Sequence, residues 1–280
     1  MISAETISKN EFDQRLARYP SVIEATSASK PGMLILPKHV ISSVHLKVPL
    51  QEANLELTHF FFVAKPGQKS LQELDEYRYD TAPGLFSPDG DGSVIDLDAI
   101  KALVEWKLRH GKFRPTLMSL VSSNPKDFVN EIVQEATQLY RETKSIPASL
   151  AKWTKLKGIG PATASLLLSV HDPEHVIFFS DEAFSWLCGQ GGKPSIKYNV
   201  KEYQELCQHA EALRSRLGVS ATDIEKVAFV LMRHPSNDAK PDSSGTKPIG
   251  SKSVSAKRKE TVGPDPATKA TVRRSKRIKS

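Results

Sequence analysis

The stretch SLAKWTKLKGIGPATASLLLSV, residues 149–170, reads as helix, tight turn, helix. Gly158 and Gly160 bracket one apolar residue, Ile159, and suit backbone geometry that a side chain disfavours. Pro161 fits the first turn of the second helix, where its missing N–H costs little. Thr163, Ala164 and Ser165 are small, so the two helices can approach closely. The open N–H groups and the dipole at that helix start favour an anion. Lys155 and Lys157 add positive charge beside the turn. Two uses fit this pattern. One is a phosphate holder that reads backbone rather than bases. The other is a glycine-rich connector between packed helices.

The surrounding pattern, residues 96–234, is dense in helical signals. DLDAIKALVEWKLRHG places Leu97, Ile100, Val104 and Leu108 on one stripe and stops at Gly111. PTLMSLVSSN reads as a short helix after Pro115. PKDFVNEIVQEATQLYRET aligns Phe128, Ile132, Val133, Ala136 and Leu139. SDEAFSWLCG follows a short strand-like run, VIFF. Asn199 with Glu202 forms a capping-box pattern, and Ser220 with Asp223 caps the last helix. About seven helices with short connections predict an all-α helical bundle.

The ends are different. Residues 1–30 carry an N-terminal helix, read over 6–18. Residues 31–68 are an irregular insertion, apolar but with neither helical stripe nor hairpin turn. Gly-Met-Leu at its start and Leu-Thr-His-Phe-Phe-Phe-Val-Ala near its end are peptides that splice-signal-like codons can encode. Residues 33–63 therefore read either as a translated intron or as an ordinary insertion. Residues 69–234 form the main helical domain, and residues 235–280 a disordered basic tail, too poor in apolar groups to offset ordering entropy. The tail holds 12 Lys/Arg against 4 Asp/Glu, while residues 1–234 hold 27 against 28. The folded body is thus near neutral, and any nucleic-acid contact there must come from local clusters. AKRKE (256–260) and RRSKR (273–277) read as nuclear-import or phosphate-binding patches, or as parts of a solvated solubility tail, with nuclear import favoured.

Other classes find little support. No apolar run approaches the ~20 residues of a membrane span, and the N-terminus does not read as a secretory signal. The two cysteines, Cys188 and Cys207, suit a reducing compartment and offer no zinc or iron–sulfur spacing, so no metal and no cofactor is expected. His171 and His175 are read as loop residues, because Pro173 lies between them.

LKGIGPATA resembles the helix-hairpin-helix motif in the form found in the DNA glycosylase superfamily. In FFSDEAFSWL, Asp181 matches the position at which those enzymes carry an aspartate, at the start of the next helix. VEWKLRHGKFRPTLMSLVSSN, with DEYRYD upstream and GPATASLLLSV…FFSDEAF downstream, is similar to the Amun family of nuclear proteins, which carry a glycosylase-like domain. The likeness covers about residues 70–234 and implies an all-α bundle of the helix-hairpin-helix glycosylase type.

That resemblance sets the chemical expectations. Asp181 would stabilise positive charge on the sugar as a base departs, or orient water. It is equally an ordinary first-turn acid behind the cap Ser180. Strand-cleaving relatives carry a Schiff-base lysine just before the motif's threonine. This chain has Ala162 there, so a monofunctional activity without lyase is implied. A flipped base needs an apolar pocket, for which Trp106, Phe113, Trp153, Phe179 and Trp186 are candidates. Arg109, Lys112 and Arg114 form a basic cluster for DNA contact or a solvated loop. The expected DNA contacts are Lys155, Lys157, Gly158, Ile159, Gly160, Thr163, Arg109, Lys112 and Arg114. DNA is the expected partner, bound through phosphates by a nuclear monomer, with chromatin proteins as further partners. The alternative is a non-catalytic DNA- or chromatin-binding or protein-interaction module that kept the fold.

Overall fold

A computed structural model describes residues 2–29, 69–189 and 195–233. The insertion 31–68, the translated-intron reading of 33–63 and the basic tail 235–280 lie outside the described residues. Among those described, the regular elements are helical, with no strand: α1 (Lys9–Leu16), α2 (Tyr19–Ser29), α3 (Leu71–Glu76), a π turn (Tyr77–Thr81), α4 (Ala82–Phe86), α5 (Leu97–His110), α6 (Leu117–Ser122), α7 (Lys126–Thr143), α8 (Ile146–Trp153), α9 (Pro161–His171), α10 (Asp181–Leu187), α11 (Val200–Leu217) and α12 (Ala221–Arg233).

The caps follow the sequence. Asn199 and Glu202 form a reciprocal box at α11, and Ser220 accepts from the Asp223 amide at the start of α12. The α7 stripe is Val129, Ile132, Val133, Ala136 and Tyr140, so the core face sits one residue off the expected one at both ends. Phe128 is 37% exposed and Leu139 only half-buried.

Helix α9 is the centre of the bundle. Every residue from Ala162 to His171 is buried, and the polar ones among them, Thr163, Ser165, Ser169 and His171, each have a hydrogen-bond partner. It packs against α4, α5 and α8, while α12 packs against α1, α2, α10 and α11. His171 is therefore not a loop residue: it ends α9, buried, with Nδ1 2.9 Å from the Phe86 carbonyl, and Pro173 stops the helix beyond it. His175 does lie in the following turn, against Asp172.

Residues 2–29 join the same core. The Trp186 indole donates to the Ile2 carbonyl at 3.0 Å, and Arg216 donates to the carbonyls of Ile7 and Ala4 at 2.7 and 2.8 Å. The Tyr19 hydroxyl donates to Asp75 at 2.8 Å.

The run VIFF is buried and, among the described residues, pairs with no strand. Side chains take two of its amides instead: Phe178 N–H donates to Glu225 at 2.6 Å and Phe179 N–H to Ser165 Oγ at 2.9 Å. Glu225 is held in turn by the fully buried Arg78, whose guanidinium also donates to Ser169 at 2.6 Å and lies over the Tyr79 ring. These buried polar contacts fix the path of the chain into α10, and hence the place of Asp181.

Candidate functional site

The hairpin is clamped from outside by Asn124. Its amide donates to the Lys157 carbonyl at 3.0 Å and accepts from the Lys157 N–H at 2.8 Å. The two glycines are not equivalent. Gly158 has φ +80°, and a Cβ there would meet Leu120 and Val121 at 3.1 Å. Gly160 has φ −94°, ordinary extended backbone, and open space where a Cβ would stand. Only Gly158 is needed for the turn; Gly160 leaves the hairpin face uncovered. The N–H groups of Thr163 and Ala164 both return to the Gly160 carbonyl at 2.9 Å. Those of Gly160 and Ala162 take no acceptor among the described residues, as is common in a helix's first turn.

This face borders a cleft of about 310 Å³, near the lower end of the ~300–1,000 Å³ typical of small-ligand sites. Gly158, Gly160, Pro161, Ala162 and Thr163 form one wall. Lys107, Lys112 and Arg114 come from α5 and the loop after it, Phe178 to Glu182 from the VIFF run and α10, and Lys197 and Tyr198 from the segment before α11.

Asp181 opens α10 and faces the cleft, because the cap is supplied by Ser180, whose hydroxyl accepts from Ala183 N–H at 3.0 Å. The Asp181 side chain is 31% exposed and pairs with the Lys112 ammonium at 2.7 Å. Its other oxygen accepts from the Tyr198 hydroxyl. Burial opposes ionisation, but the Lys112 and Tyr198 hydrogen bonds and the charges of Lys112 and Arg114 outweigh it and hold the carboxyl below its ordinary range. Tyr198 occupies left-handed backbone, φ +56°, a conformation rare for a bulky residue. Its ring packs on Phe179, and the Arg114 guanidinium lies 5.6 Å over it. Burial, then the Asp181 hydrogen bond and charge, push its hydroxyl pKa well up.

Lys107 also reaches the cleft, donating to the Thr163 hydroxyl at 2.6 Å. Burial, then the Arg114 charge, lower its pKa to about 8, against the opposing pull of Asp181. Lys107 and Tyr198 are absent from the sequence-derived set. Lys107 had a legible signal, since it falls three residues after Val104 and four after Leu103 on the buried arc of α5. Tyr198 had none.

The expected contact residues separate. Gly158, Gly160, Thr163, Lys112 and Arg114 border the cleft. Arg109 does not: it pairs with Glu105 at 3.6 Å and donates to the Lys69 carbonyl, on another face of α5. Lys155 lies 3.5 Å from Glu135, which Lys152 holds more closely at 2.8 Å, and it does not border the cleft. Lys157 contributes its backbone to the Asn124 clamp. Ile159 is only 4% exposed and anchors the turn in the core. Of the aromatic candidates, Trp106, Trp153 and Trp186 are core residues and Phe113 is 47% exposed, leaving Phe179 at the cleft wall. No helix of the described residues is long and apolar enough to cross a membrane. No family model, curated protein or solved structure matches the chain.

Proposed function

We propose that this chain is a nuclear DNA-binding protein of the helix-hairpin-helix glycosylase type, a monofunctional DNA N-glycosylase that uses Asp181. The observation that supports it is the meeting of three features in one cleft: the uncovered hairpin face, the ionised Asp181 and the cations Lys107, Lys112 and Arg114. A phosphate takes the Gly160 and Ala162 amides at the start of α9, where the dipole adds to the attraction. Lys107 and Arg114 supply positive charge at that wall of the cleft.

With the phosphate held there, Asp181 faces the sugar. As the bond from C1′ to the base nitrogen breaks, its electron pair leaves with the base and the sugar becomes cationic. The carboxylate stabilises that charge and orients the water that adds to C1′, its proton passing to solvent. A carboxyl held below its ordinary range suits this role and not proton donation. Lys112 has to exchange Asp181 for a phosphate when substrate enters. Position 162 is alanine, so that position supplies no amine for strand cleavage.

The test is incubation of the full chain with duplexes bearing single damaged or mismatched bases, followed by alkali. Base release that disappears in Asp181→Asn while DNA binding persists supports the reading. Failure of the wild-type chain to release any base defeats it. A second reading, a DNA- or chromatin-binding module without chemistry, draws on the closed state of the acid, both of whose oxygens are already engaged. It predicts binding that Gly160→Asp weakens, with no product from any lesion.

A further inference from the structure

A second group of chemically active side chains lies at the other end of α10. Cys188 is the residue that ends this helix, and Glu205 and His209 project from the next one, α11. Glu205 and His209 stand four positions apart, the spacing that sets two side chains on one helix face. A ligand atom from each of the three residues can be chosen so that all lie within 4.8 Å of one another.

We propose that Cys188, Glu205 and His209 form a zinc site. A thiolate, an imidazole and a carboxylate are the three donor types zinc takes, at about 2.0–2.3 Å each. Around a tetrahedral ion, bonds of that length put the donors roughly 3.5 Å apart, so small rotations about the side-chain bonds of two exposed residues close the set. Neither the Glu205 nor the His209 side chain makes a hydrogen bond or ion pair with a described residue, so neither gives up a partner to bind. Cys188 is a free, half-buried thiol. Binding replaces its S–H bond with a zinc–sulfur bond and releases the proton to solvent, with no redox change. Three protein ligands leave one position for water. Zinc is favoured over magnesium or calcium because those ions take oxygen ligands and do not bind thiolate.

The site is separate from the cleft. Seven helical residues at 1.5 Å rise put about 10 Å between Asp181 and Cys188. The metal ties the C-terminal end of α10 to α11, helices that already pack together. No spacing motif announces it, because α10 and α11 bring the cysteine to the Glu/His pair only in the folded chain. The metal site does not depend on DNA binding in the cleft.

Titration of the full chain with Co²⁺, in a non-thiol reductant, tests the site. One equivalent should produce thiolate-to-cobalt charge-transfer absorption and visible bands of a four-coordinate ion, and Zn²⁺ should displace both. Cys188→Ser should lose the charge-transfer band. His209→Ala, at an exposed position, should weaken binding by more than about tenfold. Cys207→Ser, the other thiol, should change neither. The proposal is overturned if the wild-type chain shows no band at one equivalent. It is equally overturned if binding survives His209→Ala undiminished, or if Cys207→Ser rather than Cys188→Ser removes the band. Should Cys188→Ser fail to fold, the His209→Ala result decides alone.

Discussion

Asp75 and Asp181 each accept a hydrogen bond from a tyrosine hydroxyl, and the fold treats them in opposite ways. Asp75 sits deep among α2, α3 and α5, where the Tyr19 hydroxyl and the Trp106 indole both reach it at 2.8 Å. Burial outweighs these neutral donors and the more distant charges of Lys226 and Arg78, and the carboxyl rises to about 6. Asp181 sits at a cleft, with the Lys112 ammonium as its second partner and Arg114 nearby, and its carboxyl falls. A closed site with neutral donors leaves an acid ready to accept a proton. An open site with cations keeps it charged, and only a charged group can stabilise a cationic sugar. The comparison separates a polar group that organises a core from one available to a ligand.

The largest expected effect sharpens that contrast. If the glycosylase reading holds, Asp181→Asn lowers base release by at least ~10²–10³-fold, the scale for losing one well-placed electrostatic group. Single-turnover kinetics on the best substrate measure it, and DNA affinity changes little. Asp75→Asn should leave base release unchanged. Both hydrogen bonds run to the same oxygen of Asp75, which asparagine retains. Its effect is on stability. The folded carboxyl at about 6 lies above its unfolded value near 3.8, so the folded state binds the extra proton and wild-type stability falls as pH rises between those values. Asp75→Asn removes that slope and stabilises the chain at pH 7 by up to about 3 kcal/mol, at 1.36 kcal/mol per unit. Denaturant titrations at pH 5 and 7 measure it; an unchanged slope would sink the assignment.

The hairpin offers the next test, since it too contains a structural and an open member. Gly158→Ala should cost about 1–3 kcal/mol, from left-handed backbone and the contacts at Leu120 and Val121. Gly160→Ala should stay within about 0.5 kcal/mol, having open space and ordinary backbone. Gly160→Asp should then weaken DNA binding about tenfold, roughly the ~1.4 kcal/mol of one lost phosphate contact, without lowering the melting temperature. A melting temperature that falls with Gly160→Asp would make the hairpin a packing element and nothing more.

These tests follow the boundary between what the chain's order reveals and what only the fold creates. The helix–turn–helix of 149–170, the caps at Asn199 and Ser220 and the buried run of α9 are local facts, written in periodicity and short-range donors and acceptors. The VIFF run misleads because two of its amides are answered by Glu225 and Ser165, from α12 and α9, and no local pattern marks side chains as sheet substitutes. Residues 109, 112 and 114 read as one cluster, yet α5 ends at His110 and the following loop turns, sending Arg109 one way and the other two to the cleft. Tyr198 meets Asp181 only through the segment preceding α11. Lys107 was the legible omission, a lysine on an apolar arc.

The smallest effects concern those cations. Lys107 loses its proton as pH rises through about 8, removing one positive charge from the cleft. Between pH 7 and 9 the wild-type chain should lose a few-fold in affinity for undamaged duplex. Lys107→Gln should bind more weakly at pH 7, with a flatter pH profile and a salt slope shallower by about one ion. Arg114→Ala should behave like Lys107→Gln in its salt slope, and Arg109→Ala should not, because the Arg109 guanidinium is turned to Glu105 and Lys69. Fluorescence anisotropy across a salt series separates the two arginines at a resolution of one ion. Equal losses from both would mean that DNA tracks the whole α5 terminus, and the cleft would no longer define the interface.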